Sequence, residues 1–345
     1  MDLSRFRKIT QAYQALRIAV LGDFCLDRYL EIDPSKAEVS IETGLPVHNV
    51  VNVRAQPGGA GTIVNNLSAL GITTIYPIGF AGHDGEGMEL WEALERRPGV
   101  LMNHFIRSVE RRTFTYCKPL ICGSGRAPVE LNRLDFKNWS PTPHLIEGVL
   151  LNHVGELAKK VDAIIVLDQV DIPDTGVVTR TVLEGIKRLA QDSPQLAILA
   201  DSRRGLRDFP PVMFKMNAAE LSAFGDRSQP WDIEQIKASA AGLADKNNRA
   251  VFITLAEKGI IAASPKGKTE YVPSLPTRGE IDVVGAGDAV SANLAAAIAA
   301  GAELPEALEI ANAAASVVIH KLGTTGTASI SEIEETMKTG GMLDQ

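Results

Sequence analysis

Asp282-Val283-Val284-Gly285-Ala286-Gly287-Asp288-Ala289 places a glycine turn between two carboxylates, immediately before an Ala-rich run at 289–300. Gly285 and Gly287 carry no Cβ and adopt positive φ without penalty. Consecutive N–H groups of Gly285, Ala286 and Gly287 can therefore turn toward an anion, with the positive end of the following helix aimed at the same point. A carboxylate at Asp288 would repel that anion unless it served another purpose, such as taking a proton from an attacking hydroxyl. The same residues also fit an Asp N-cap behind a glycine-rich turn, and the octapeptide alone leaves both readings open.

Outward from this turn, the chain alternates short apolar runs with helical patterns. Leu16–Leu21 (LRIAVL) reads as a buried strand ending at Gly22-Asp23, and AIIVLD (163–168), LAILAD (196–201), VMFKMN (212–217) and AVFITLA (250–256) repeat the pattern. Helices are expected at about 62–70, through Trp91, up to Lys160, and at 176–191, 218–224, 231–245 and 303–323. This order predicts a three-layer α/β/α fold around a mostly parallel sheet. Two segments break it, about 30–55 and 103–136, where polar and β-branched residues alternate as in half-exposed antiparallel strands. We expect them to pair as a small β-sheet protruding from one domain, 1–335, with 336–345 as a C-terminal tail.

A hydrophobic content of 45% with 22% charged residues is that of an ordinary soluble globular chain. The formal net charge of −7 and the lack of a basic cluster interleaved with aromatics argue against nucleic acid as a partner. Cys25, Cys117 and Cys122 lack metal-ligand spacing and are expected as reduced thiols. The N-terminus lacks the apolar stretch of a signal peptide, and no uncharged apolar run has the length of a membrane span. A cytoplasmic protein with no membrane partner is expected.

Several constellations carry candidate chemistry. Asp23 and Asp27 follow the first strand four residues apart and could accept hydrogen bonds from a polyol, or simply be solvated. Gly58-Gly59 admits close approach of a ligand to the backbone, or makes a tight turn. Asn66, with its neighbour Asn65, could both donate and accept, or face solvent. Asn217 and Glu220 stand three apart after a strand; they suit a hydrated Mg²⁺ and equally a helix capping box. Arg111, Arg112, Arg133, Arg203 and Arg204 would bind a phosphorylated substrate if two or more converged, and are otherwise surface charges. Neither a P-loop motif nor a GxGxxG after the first strand is present.

Taken in order, GDFCLDRY, PGGAGTIVNNLSALG, NRLDF, ILADSRRG, KMNAAEL, VFITLAEKGI, DVVGAGDAVSANLAAAIAAG and ANAAASVVIHKLGT resemble the ribokinase-like (PfkB) carbohydrate kinases over nearly the whole chain. Within that family the likeness runs toward the kinase domain of the bifunctional heptose 7-phosphate kinase/adenylyltransferases. The resemblance implies ATP-dependent phosphorylation of a sugar or sugar phosphate, with Asp288 as general base and the amides of Gly285, Ala286 and Gly287 as the anion hole. It implies acceptor contacts at Asp23, Asp27, Gly58, Gly59, Thr62 and Asn66, with Arg112 and Arg133 nearby. Asn217 and Glu220 match the element that positions Mg²⁺, held by Glu220 through water. Thr254, Glu257 and Gly259 match the nucleotide strand and turn, Asn312 the helix lining the adenine, and Asp282 the start of a loop that binds K⁺ in many members. The two strand-rich inserts would form a lid, often the homodimer contact.

The chain also departs from the pattern. Thr62 stands where heptose kinases carry a sugar-contacting Asn, Val284 where a Thr is common, and ILADSRRG lacks the usual Asp-Pro while adding Arg203 and Arg204, which would suit a second phosphate. The sequence stops at Gln345, soon after the last expected helix, so a kinase without an attached nucleotidyltransferase is expected. A sugar- or nucleotide-binding member without turnover and a nucleoside kinase are the alternatives.

Overall fold

The structure, a computed structural model, describes residues 1–123, 128–225 and 232–343. In chain order the elements begin with α1 (Leu3–Ala12), β1 (Arg17–Gly22), β2 (Phe24–Ile32), β3 (Glu38–Val39), β4 (Pro46–Val47), β5 (Val50–Gly59), α2 (Ala60–Ala69), β6 (Thr74–Gly82) and α3 (Gly85–Glu95). Next come β7 (Phe105–Ser108), β8 (Phe114–Ile121), β9 (Val129–Glu130), β10 (Leu134–Phe136), α4 (His144–Leu157), β11 (Ala163–Asp168), α5 (Arg180–Asp192), β12 (Ala197–Ser202), β13 (Met213–Asn217), α6 (Ala218–Phe224) and α7 (Ile233–Asn247). The chain closes with β14 (Val251–Thr254), β15 (Ile260–Ala263), β16 (Thr269–Val272), α8 (Ala286–Ala299), α9 (Leu304–Ile319) and α10 (Ile330–Thr339).

Strand β1 shows why the layers form. Ile18 and Val20 point into a core shared with α1, α2, α8, α9 and α10, while Ala19 and Leu21 point into a second core built with α4, α5 and α7. A strand apolar on both faces must be covered on both, and helices cover it. Nine strands run in the order β16-β15-β14-β13-β12-β11-β1-β6-β7. Those from β14 to β7 are parallel, and β15 and β16 append an antiparallel hairpin. This is the ribokinase-like three-layer α/β/α fold with a small lid.

The lid differs from expectation in three ways. It is a mixed sheet, because β2 runs antiparallel to β5 but parallel to β8, with β9 and β10 flanking β8. It starts at Phe24 and returns through Gly59, so the first insert is longer than 30–55. The second insert divides: β7 belongs to the edge of the main sheet, paired with β6, and only β8, β9 and β10 belong to the lid. The polar alternation of β7 reflects an edge position, which resembles a lid strand in pattern. Residues 124–127 of that insert, and Trp231 at the start of the helix expected at 231–245, lie outside the described residues. At the C-terminus, 336–339 form the last turn of α10 rather than tail, since Met337 packs into the core; 344–345 lie outside the described residues.

Candidate active site

The parallel strands end together at one edge, where open α/β sheets place their ligands. Asn217 at the end of β13 lies in register with Thr254 at the end of β14, and Asp168 on β11 with Ser202 on β12. Above this edge Gly285 adopts φ 83° and caps α8; a Cβ there would come within 2.5 Å of the Thr325 methyl. The turn thus depends on glycine both for its handedness and for its packing. It leads Ala286 and Gly287 into the first turn of α8, with Asp288 half-buried in that same turn. The N-cap is Gly285 rather than an Asp, so the capping alternative for Asp288 falls.

Burial, the charge of Asp201 and that of Asp27 push the Asp288 carboxyl up to about 7, against the pull of Lys215. A base with a pKa near neutrality is suited to taking a proton from a hydroxyl. Asp201 and Lys215 are paired at 2.7 Å beneath the turn, both buried, and Ser291 on α8 donates to the same Asp201 oxygen at 3.0 Å. Neither residue was singled out from sequence. Their opposition follows from β12 and β13 running in register, which no local motif announces.

On one side of the turn lies a cleft of about 1100 Å³. Asn217, Thr254, Glu257, Gly259, Ala286, Gly287 and Asn312 all line it, so the expected nucleotide and Mg²⁺ residues come together except Glu220, which is not among the lining residues. Gly259 has φ 103°, and a Cβ there would stand 2.1 Å from the Val272 carbonyl oxygen. Asn312 donates from Nδ2 to the Pro273 carbonyl at 2.7 Å, tying α9 to the loop after β16. Asn217 and Glu220 form a complete capping box: Asn217 Oδ1 accepts from the Glu220 amide at 2.9 Å and Glu220 Oε2 from the Asn217 amide at 2.7 Å. The capping reading is thus realised, and burial raises the Glu220 carboxyl against that amide bond. Asp282 Oδ1 accepts from the Val284 amide at 3.0 Å, and its own amide donates to Ile319 O at 2.7 Å, fixing the loop before the turn to the end of α9. Among the described residues no group of three or more His, Cys, Asp or Glu is arranged to hold a metal.

On the other side is the lid. Asp27 is buried on β2, with Lys118 Nζ of β8 at 3.6 Å. A Cβ on Gly58 would fall 2.5 Å from Asp27 Oδ2, so glycine there makes room for the carboxylate. Burial raises the Asp27 carboxyl, and Lys118 and Arg133 oppose the rise. Arg133 forks onto Asp135 at 2.7 and 2.8 Å and lies over the Tyr116 ring, 4.9 Å from its centroid. Lys118 and Tyr116 escaped the sequence reading because RRTFTYCKPLI shows an alternating strand but not which face meets Asp27.

Five expected acceptor residues are not available as expected. Asp23 is enclosed, with Oδ1 accepting from the Val177 amide at 2.6 Å and Oδ2 from the amides of Gln169 and Val170 at 2.8 and 3.2 Å. It fastens the loop after β11 to the end of β1. Gly59, at φ 57°, would bring a Cβ 2.4 Å from the Asp23 carbonyl oxygen and serves the β5–α2 joint. Asn66 is wholly buried, donating to Thr62 O at 2.9 Å, because α2 packs this face on α8. Arg112 is drawn to Asp84 at 3.9 Å and over Phe136, away from Asp27. Thr62 is buried with its methyl toward Gly285. The other arginines do not form a second phosphate site: Arg111 is spent on the carbonyls of Ser140, Pro141 and Thr175, Arg203 on Asp171 at 3.6 Å and Arg204 on Asp168 at 2.9 Å.

The family profile described as pfkB family carbohydrate kinase matches residues 17–330. The bifunctional protein HldE of Granulibacter bethesdensis is 30% identical over 330 residues, which is 93% of this chain and 64% of that protein. Its counterpart in Shewanella sp. (strain MR-4) is 30% identical over 340 residues, 94% of this chain and 64% of that protein. The chain therefore spans just under two thirds of the length of these relatives. Among solved structures, Escherichia coli phosphofructokinase-2 in complex with fructose-6-phosphate superposes with a TM-score of 0.70 at 17% identity, covering 94% of this chain and 99% of the other. Arabidopsis thaliana ribokinase complexed with ribose and ATP gives 0.67 at 20% identity, with the same coverage. The profile match, spanning the lid, the cleft and the glycine turn alike, establishes that this chain belongs to the pfkB family of carbohydrate kinases.

Proposed function

We propose that the protein transfers the γ-phosphoryl group of ATP to a hydroxyl of a sugar or sugar phosphate, a heptose phosphate among the candidates. The carrying observation is the position of Asp288, which lies in the first turn of α8 beside the large cleft and feels the charges of both Lys215 below the turn and Asp27 on the lid. The cleft has the volume and the largely apolar walls that suit an adenine nucleotide.

In this reading Asp288 takes the proton from the acceptor hydroxyl, while the amides of Gly285 and Gly287, joined by that of Ala286 once it leaves the Val283 carbonyl to which it donates at 3.2 Å, hold the charge that develops on the phosphoryl oxygens. Thr254, Glu257, Gly259 and Asn312 shape the nucleotide wall, and Asn217 stands where the phosphates enter. Mg²⁺, when bound, would neutralise the phosphate charge, and Glu220 is the carboxylate that would hold it through water. Asp282 and the carbonyls after it form the K⁺ loop. Asp27, Lys118, Gly58 and Arg133 receive the acceptor, and the two cations favour one that carries a phosphate. The lid pairs with that of a second copy as a homodimer, and the protein works in the cytoplasm. Among the described residues no helix is long and apolar enough to cross a membrane.

The test is ADP release by the purified protein with Mg²⁺-ATP and K⁺ over free hexoses, pentoses, nucleosides and sugar phosphates, heptose 7-phosphate included. Acceptor-dependent turnover that falls at least about 100-fold in Asp288→Asn, with ATP binding retained, is the expected result. Silence across the panel favours a binding protein, and unchanged turnover in the variant removes Asp288 from its role.

A further inference from the structure

Lys215 lies in the middle of the candidate site, yet no part of the mechanism above uses it. Its side chain is 8% exposed, and Asp201 Oδ2 at 2.7 Å is its one hydrogen-bond partner among the described residues. An ammonium has three donors, so two remain. The group stands against the glycine turn, with Nζ 3.0 Å from the point a Cβ on Gly287 would occupy. Gly287 thus leaves the space that the ammonium fills, beside the amides of the anion hole. Asp201 is held from the opposite side by Ser291, one turn after Asp288 on the same helix, and Ser291 also donates to Gly287 O at 3.1 Å. Burial alone would lower the ammonium's pKa, but Asp201, Asp288 and Glu220 together carry it upward, so it keeps its charge.

A buried ion pair is an expensive way to fill a core, and an apolar pair of similar volume is commonly as stable. Here the cation is set among the candidate base, the candidate Mg²⁺ carboxylate and the glycine turn, the place through which a phosphoryl group must pass. Charge spread over the equatorial oxygens of a phosphoryl in flight is what such a cation stabilises.

We propose that Lys215 is a catalytic residue of this site, donating its two free N–H groups to the oxygens of the transferred phosphoryl, with Asp201 as the positioning residue that holds it there. The inference rests on the phosphotransfer reading above. In the step, the acceptor oxygen loses its proton to Asp288 and forms a bond to phosphorus as the bond from phosphorus to the ADP oxygen breaks, ADP keeping that electron pair. Lys215 retains its proton throughout.

Three variants separate a catalytic from a structural role: Lys215→Met, Lys215→Arg, and the double variant Lys215→Met/Asp201→Asn, which removes both charges and leaves neither buried alone. Turnover is measured on the alkaline plateau, where Asp288 is ionised in all of them. The expected result is a fall in kcat of about 100-fold in both variants lacking the cation, with the acceptor KM changed less than about threefold and partial recovery in Lys215→Arg. Wild-type turnover in the double variant would reduce Lys215 to a core ion pair and overturn the proposal. Binding of Mg²⁺-ATP and Mg²⁺-ADP is compared in the double variant as well, because this readout needs no acceptor. A loss of at least fivefold for ATP with ADP unchanged supports the contact, and equal affinities to wild type for both nucleotides count against it. Should the wild type phosphorylate nothing on the panel, the acceptor reading fails while the nucleotide comparison still decides Lys215.

Discussion

Lowering the pH from 8 to 6 should slow the protein about tenfold, and the size of that fall follows from the surroundings of Asp288. An ordinary aspartate, with a pKa near 3.9, is fully ionised across this range and would give a flat profile. Burial and the neighbouring charges of Asp201 and Asp27 instead place this carboxyl at about 7. The ionised fraction is then roughly 90% at pH 8, half at pH 7 and roughly 10% at pH 6, and kcat/KM for the acceptor follows it. Asp201→Asn should move this break in a defined direction. Removing that negative charge leaves Lys215 uncompensated, and both changes favour the ionised base, so the break moves to lower pH by about one unit, ~1.4 kcal/mol. The assay is initial-rate ADP formation from pH 5.5 to 9 at constant ionic strength, with saturating ATP and excess Mg²⁺ so that titration of the nucleotide stays below the window. A flat profile from pH 6 to 8, or a break that stays in place in Asp201→Asn, would refute the electrostatic account of the base.

Two further substitutions test the architecture. Asp23→Ala strips the acceptor from three backbone amides, two of them buried, and should destabilise the fold by about 3 kcal/mol, read as the urea midpoint. The surviving folded protein should keep its acceptor KM within a few-fold, and a large KM change at unchanged stability would return Asp23 to the pocket. Gly259→Ala forces a Cβ against the Val272 carbonyl at positive φ and should cost about 1–3 kcal/mol while weakening ATP binding. Wild-type stability and affinity together would show that this corner of the cleft yields freely.

Much of the layout was legible in sequence because it rests on local periodicity. Apolar runs such as AIIVLD (163–168) can be buried only on both faces, and a helix between consecutive runs makes them parallel. The glycine turn was legible because its signal is also local: Gly285 permits the positive φ of a tight turn directly before an Ala-rich helical stretch. Misreadings arose where a pattern has two structural causes. Alternation marks an edge strand as well as a lid strand, so β7 was grouped with the wrong sheet. Asn217 and Glu220 satisfy a capping box through contacts three residues apart, which sequence can suggest but cannot rank against a ligand role.

The sequence by itself determined which segments become strands and helices, that they stack in three layers, and that one glycine turn carries a carboxylate to the start of a helix, since each depends on residues within a turn or two of one another. Only the tertiary structure decided what each side chain meets. Asp23 and Asp27 lie four apart and look equivalent in the chain, but the loop at 169–177 folds back over the first and Lys118 approaches the second. Asp201 and Lys215 become partners, with Ser291 between them and the base, only through strand register and helix packing. Hydrogen bonds and ion pairs act over a few ångströms, and such distances between residues remote in the chain are set by the fold.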